Sequence, residues 1–339
     1  MMPSNRKSSC STLSMLVVLG MFSLASQAQL PAKRMTRFGG RIEGQTTAFA
    51  PAVPRPRAAL GQAGLNFTFG LIDFPRSPDT MATGLNSRGD IVGLYGPNLP
   101  AYEGTEQSFV LEGNTFQELT YPGATYTGGL GINKTRTIVG WYTSPGDDVH
   151  GFLRKGKTYT NIDYPGAENT LPININDSGV IIGAHYQNTT GIIHGFILNK
   201  GVYTTIDPPN STYTEPTGIN SAGVIVGDYE DQNFVNHGFI YQQGQFTIVD
   251  YPGASNTSLT GINDRGQMVG GYGDDVIIGA EDWPTPNPFF LDQGTFTPLQ
   301  LPVDDALVTW TANLNGNQFV GLYADSLGDI YGYEATISH

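Results

Sequence analysis

From about residue 66 onward, apolar and polar positions alternate in runs of four to seven residues, broken by Gly, Asn, Asp and Pro. No segment carries apolar residues at helical spacing, so the pattern predicts short half-buried strands separated by turns. The stretch 217–254 shows the unit most clearly. A run ending in Gly218-Ile219-Asn220 meets a Ser-Ala-Gly turn, and Val224 to Tyr229 alternate after it. A polar loop, then His237-Gly238-Phe239-Ile240-Tyr241, a Gln-Gln-Gly turn and a last run from Phe246 to Val249 complete four predicted strands.

Recognisable copies of this unit fill most of the chain. A glycine after an Ile-Val type pair recurs at 93, 140, 183, 227, 270 and 321, with spacings of 47, 43, 44, 43 and 51 residues. Four strands at that period are what a β-propeller blade requires, because one four-stranded sheet cannot bury both its faces alone. Alternation excludes helical repeats, and a β-helix uses a shorter period. The last unit, from Val303 to about Thr336, lacks its fourth strand, while residues 67–73 resemble the fourth strand at 245–250 and have no first three before them. The predicted fold is all-β: a six-bladed β-propeller, four antiparallel strands per blade, closed by the N-terminal strand completing the last blade. Closure removes the free edges an open stack would have to cap.

Recurrent residues have structural readings. Asn86, Asn133, Asn176, Asn220, Asn263 and Asn315 begin the first hairpin turn, where an Asn side chain can bond its own backbone. Gly89, Gly179, Gly223 and Gly266 supply positive φ there, and Arg136 in the second unit should strain its turn. The marker glycines lie inside strands, which implies close packing, expected from the adjacent blade.

Residues 1–28 have the pattern of a secretory signal: Arg6 and Lys7, then an apolar run from Leu13 to Leu24, too short to span a membrane. The single cysteine, Cys10, would leave with it, so disulfides, a cysteine nucleophile and thiolate ligands are not expected. Residues 29–65 read as a flexible basic lead-in, with Lys33, Arg34, Arg37, Arg41, Arg55 and Arg57 against Glu43, and the propeller occupies 66–339. Secretion, or residence at the periplasmic or outer cell envelope, follows from the signal.

The repeats also resemble the HAF family of extracellular repeats, through their Gly-Ile-Asn and Ile-Val-Gly segments and through His150-Gly151-Phe152, His194-Gly195-Phe196 and His237-Gly238-Phe239, with glycine in place of the family's alanine. The resemblance covers about residues 66–336 and is faintest at the ends. It implies export and a β-propeller-like fold, and it implies no defined reaction, so no catalytic residue carries over.

Propeller topology sorts the loops. Links between blades and the loops between second and third strands open on one face, and the short hairpin turns open on the other. The long loops, at 94–107, 141–149, 184–193, 228–236, 271–288 and 322–330, are rich in acids and aromatics. Variable loops on a rigid scaffold are where binding usually resides. The formal charge of −13 becomes −15 without the signal and −20 without the lead-in's five surplus positives. That argues against nucleic acid as partner and leaves neutral glycans, peptides and cations.

The candidate ligand-binding residues are Trp283, Trp141, Tyr142, His185, Tyr229, Asp148 and Asp282. Aromatic faces would stack on a sugar while carboxylates fix its hydroxyls. Asp147, Asp148, Asp274 and Asp275 are weak candidate Ca²⁺ ligands, and plain solvated loop acids are the simpler explanation. Tyr95, Tyr142, His185, Tyr229, Tyr272 and Tyr323, each two positions after a marker glycine, form either an aromatic platform or inter-blade packing, and recurrence favours packing. His150, His194 and His237 are spread over three blades, which argues for structural roles rather than one metal. No G-x-S-x-G, H-E-x-x-H, P-loop or dinucleotide motif occurs. The expectation is an exported, monomeric binding module for a neutral carbohydrate or a protein. The alternatives are a polysaccharide hydrolase or lyase using loop carboxylates, and a structural cell-envelope protein.

Overall fold

The computed structural model describes residues 57–62, 65–97, 99, 107–143, 149–188, 190–273, 287–301, 308–325 and 329–338. Among these residues there is no helix, and the strands form a β-propeller arrangement. Each unit is an antiparallel meander. The first four are Asp79–Leu85, Ile91–Gly96, Gln107–Glu112 and Thr115–Leu119 (meander I), followed by II from Tyr126–Ile132 to Thr158–Ile162, III from Asn169–Ile175 to Val202–Ile206, and IV from Tyr213–Ile219 to Gln245–Val249. Meander V runs from Asn256–Ile262 to Thr295–Pro298. A single parallel bridge, Ile193 to Tyr213, joins III and IV into one eight-stranded sheet.

The last sheet, meander VI, contains Val308–Asn315, Gln318–Ala324 and Ile330–Ser338, and the N-terminal strand Leu65–Ile72 pairs with the third of these from Asn66 opposite Ser338 to Ile72 opposite Gly332. A fifth strand, Arg57–Gln62, lies outside it, antiparallel to Leu65–Ile72. That strand falls within the stretch expected to be flexible lead-in. Among the described residues it is the edge strand of its sheet, and it pairs there with what was the outermost strand, as edges allow. Meander VI also packs on I: Ile330 donates its N–H to Asp79 Oδ1 at 3.0 Å, and Leu322, Ala324 and Ile330 share an apolar cluster with Met81, Leu94 and Leu99.

Why the inner strands approach so closely is written in their glycines. Each first strand bulges before its Asn, at Ala82/Gly84, Gly129/Gly131, Pro172/Asn174, Pro216/Gly218, Leu259/Gly261 and Thr311/Asn313. A Cβ on Gly84 would sit 2.4 Å from the Leu130 carbonyl oxygen of the next meander, and one on Gly261 2.5 Å from the Leu314 nitrogen. These glycines, rather than the marker glycines, are where adjacent sheets meet backbone to backbone. A Cβ on Gly93 would instead lie 2.1 Å from Met81 O and 2.5 Å from Phe109 Cζ, both within its own sheet. The close packing expected at the markers is present, but it comes from the flanking strands and not from the neighbouring blade.

The recurrent asparagines do more than close their own turns. Asn176 Oδ1 accepts the N–H groups of Ser178 and Val180 at 3.0 Å each. Its Nδ2 donates to Asn220 O, also at 3.0 Å, in the next meander. The same step runs from Asn86 to Asn133, Asn133 to Asn176, Asn220 to Asn263 and Asn263 to Gly316. A one-way chain of amides therefore stitches successive meanders on the short-turn face. Arg136 takes the expected positive φ, 60°, and its guanidinium reaches Asp90 of meander I twice at 2.8 Å and Glu112 at 2.9 Å.

Candidate functional site

The link between meanders supplies a ring that stacks on the next meander's second strand. Tyr121 lies 3.7 Å from Tyr142, Tyr164 3.6 Å from His185, Tyr251 3.5 Å from Tyr272 and Phe74 3.6 Å from Tyr95, all nearly coplanar. On the other side, His150, His194 and His237 stack at 5.3, 5.3 and 5.2 Å on Tyr142, His185 and Tyr229. Each of these histidines meets a link aspartate through Nδ1: Asp163 at 3.2 Å, Asp207 at 2.8 Å and Asp250 at 3.1 Å. Tyr142 and Tyr229 are buried in these stacks and belong to different meanders, so they are not brought together.

His185 is the exception among tyrosines. Burial, then the neighbouring His194, push its pKa down to about 4, and its Nε2 is buried without a hydrogen-bond partner. It is a neutral ring in a stack. Trp141 is fully buried, its indole lying over Gly128, where a Cβ would come within 2.3 Å of Nε1. With no exposed face it cannot stack on a ligand. Trp283, Asp148 and Asp282, and the calcium candidates Asp147, Asp274 and Asp275, lie outside the described residues. Among the described residues, no group of three or more His, Cys, Asp or Glu could hold a metal ion, and no helix is long and apolar enough to cross a membrane.

Meander IV departs from the pattern of its neighbours. Two positions before the bulge, facing the residue after the marker glycine, meanders I to III pair Met81 with Leu94, Gly128 with Trp141, and Leu171 with Ala184, and meander V pairs Ser258 with Gly271. Meander IV pairs Glu215 with Asp228, and each is only 2% exposed. Tyr213 donates its hydroxyl to Glu215 Oε2 at 2.5 Å, and Ser258 of meander V donates to Asp228 Oδ1 at 2.8 Å. Burial raises the Asp228 pKa to about 7, against hydrogen bonds from Ser258 and Asn236 that lower it. Burial first, then Glu215 and Asp228, raise the Tyr213 hydroxyl well above its ordinary range. Enclosed in this way, the Asp228 carboxyl holds its proton to higher pH than an exposed one would.

Directly above this pair, the loop after Glu230 is built on Asp231. Its Oδ1 accepts the Asn233 and Val235 N–H groups at 2.8 and 3.0 Å, and its backbone closes the turn with Val235 and Phe234 at 3.0 and 3.1 Å. Those backbone donors, Val235 foremost, hold the Asp231 carboxyl below its ordinary pKa. The turn places Phe234 at φ 62° with its side chain 67% exposed. In meander III the corresponding loop uses Gly191, at φ 65°. Asp231 also lies 3.9 Å from His237 Nε2, and Glu230 accepts from the Thr212 hydroxyl at 2.8 Å. Phe234, Glu230 and Asp231 form an aromatic and acidic ledge on the long-loop face. This loop is among those expected on the binding face, although Phe234 is not among the residues expected to bind. The available signal was a phenylalanine between Asn233 and Val235 at a turn position where a neighbouring unit carries glycine.

No protein-family model and no curated protein matches the chain. Among solved structures it is similar to AofleA from Arthrobotrys oligospora, carrying three arginine-to-alanine changes, at 10% identity and a TM-score of 0.47, covering 78% of this chain and 86% of that one. It is also similar to a fungal lectin from Aleuria aurantia with a six-bladed propeller fold and a fucose recognition mode, at 11% identity and a TM-score of 0.47, covering 76% and 93%. The β-propeller domain of the Trilobed protease from Pyrococcus furiosus is similar at 9% identity and a TM-score of 0.44, covering 84% and 94%. Likeness at this level assigns no ligand to this chain.

Proposed function

We propose that the chain is an exported six-bladed β-propeller acting as a binding module, with a neutral carbohydrate as ligand on the long-loop face at meander IV. Six successive meanders, with the N-terminal strand completing the last, support the six-bladed reading. The observation that carries the function is Phe234. A left-handed backbone costs a non-glycine residue about 1–2 kcal/mol, and an exposed phenyl ring contributes little to the core. Folding alone therefore favours glycine at this position, as in the neighbouring loop. A ring held outward by a fixed turn, flanked by the carboxylates of Glu230 and Asp231, suits stacking on a sugar face with hydrogen bonds to its hydroxyls. Ile192, 42% exposed in the adjacent long loop, supports a protein partner as a second reading.

The test is a glycan array, with and without calcium, of the wild-type chain and Phe234→Gly. Glycine relieves the backbone, so Tm should hold or rise while glycan binding falls at least tenfold. Glycan binding unchanged by the substitution, or none in the wild type, overturns the carbohydrate reading.

A further inference from the structure

Charge is divided between the two ends of the strands. Of the lysines and arginines after Arg57, only Arg76 lies at the long-loop end. Arg88, Lys134, Arg136, Arg154 to Lys157, Lys200 and Arg265 lie in or beside the short turns at the other end. The long-loop end carries Asp73, Glu168, Glu230, Asp231, Asp325 and Asp329, whereas Asp90, Glu112, Asp177, Asp264 and Asp292 lie among the bases at the short-turn end, where Arg136 meets Asp90 and Glu112 and Lys134 meets Asp177. Unbalanced negative charge therefore lies at the long-loop end, which attracts cations.

The fifth strand of meander VI fixes where the preceding chain leaves the fold. Leu65–Ile72 runs toward the long-loop end, since Ile72 leads into the link at Asp73 and Phe74. Arg57–Gln62 is antiparallel to it, with Gln62 opposite Leu65 and Arg57 opposite Phe69. Residues before Arg57 thus depart at the acidic end. They carry Lys33, Arg34, Arg37, Arg41 and Arg55 against Glu43 alone. From Arg57 back to Lys33 the chain can extend up to about 80 Å, well beyond the roughly 19 Å radius of gyration of a domain this size.

We propose that the basic segment between residues 33 and 56 docks across the acidic long-loop face of its own propeller. Each surface pair contributes little, but tethering at Arg57 gives the segment an effective concentration in the millimolar range. Added salt releases it, because exposed charges are screened within about 3 Å at 1 M ionic strength. This docking does not rest on the carbohydrate reading, and its test needs no ligand.

Energy transfer between two dyes tests it in the full chain, on a Cys10→Ser background. One dye goes on Thr36→Cys. The second goes on Gln232→Cys, at the acidic end of meander IV, or on Gln245→Cys, exposed at the opposite end of the same meander. Transfer from position 36 should be at least twofold higher to 232 than to 245. It should fall at least twofold in 1 M NaCl, and equally in the Arg34→Glu, Arg37→Glu, Arg41→Glu variant. Equal transfer to both ends, or transfer to 232 that survives salt and charge reversal, overturns the proposal. Transfer between separately labelled chains on mixing would assign the docking to a second copy and overturn it as well.

Discussion

Asp228→Asn separates the cost of the buried carboxyl pair from everything else in meander IV. In the unfolded chain Asp228 titrates near 3.8, and in the folded chain burial raises it to about 7. Between those values the folded state holds a proton that the unfolded state has lost, so stability falls as pH rises through this window and levels off above it. Asparagine keeps the shape and the acceptor for Ser258 but has no charge to bury. About three pK units at 1.36 kcal/mol each put the advantage of Asp228→Asn on the order of 4 kcal/mol at pH 8, shrinking toward zero near pH 4. At about 2–4 °C per kcal/mol, the Tm gap is roughly 10 °C at pH 8. Thermal melts of both proteins at half-unit steps from pH 4 to 8 measure it, and subtracting one curve from the other cancels carboxylates common to both. A flat difference across the window, or one that grows toward acid, refutes the shared burial of Glu215 and Asp228 as its cause.

Gly261→Ala should destabilise the fold by about 1–3 kcal/mol, lowering Tm by several degrees, because its Cβ would strike the Leu314 nitrogen; unchanged melting contradicts the backbone contact. Asn176→Ala removes two turn acceptor bonds and the donor to Asn220, and should cost about 1–3 kcal/mol in denaturant titration, whereas Asn176→Asp should restore only the turn's share. His185 should titrate near pH 4 by NMR; its folded state favours the neutral ring, so it removes stability as pH falls from 6.5 toward that value, and a midpoint at 6 or above would contradict its burial.

The architecture was legible because it depends on local signals repeated many times. Alternation gave the strands, Asn and Gly gave the turns, and residues 67–73 announced the strand missing from the far end. The Asn chain between meanders was not legible, since an Asn that caps its own turn looks the same whether or not its Nδ2 reaches a neighbour. Marker and bulge glycines were likewise indistinguishable until register showed which one meets the next sheet. Glu215 and Asp228 escaped notice because each looks like an ordinary polar residue beside a loop. Only their pairing, at a place where Met81 meets Leu94, shows that both are inside. The expected ligand residues relied on aromatic type alone, and type does not tell an exposed platform from Trp141 packed over Gly128.

The pairing of Asn66 with Ser338 has a consequence for how the chain is made. Leu65–Ile72 finds this partner only after Ile330–Ser338 has been made. Until then an alternating apolar segment, Leu65–Ile72, has one edge with nothing of its own to bind. Joining ends so far apart in sequence is entropically slow, and the rate of this last step sets the time during which another chain can take the vacant place. The Arg57–Gln62 strand can fold back on its neighbour early, because only two residues separate them in sequence, and so shields one side of that segment while it waits.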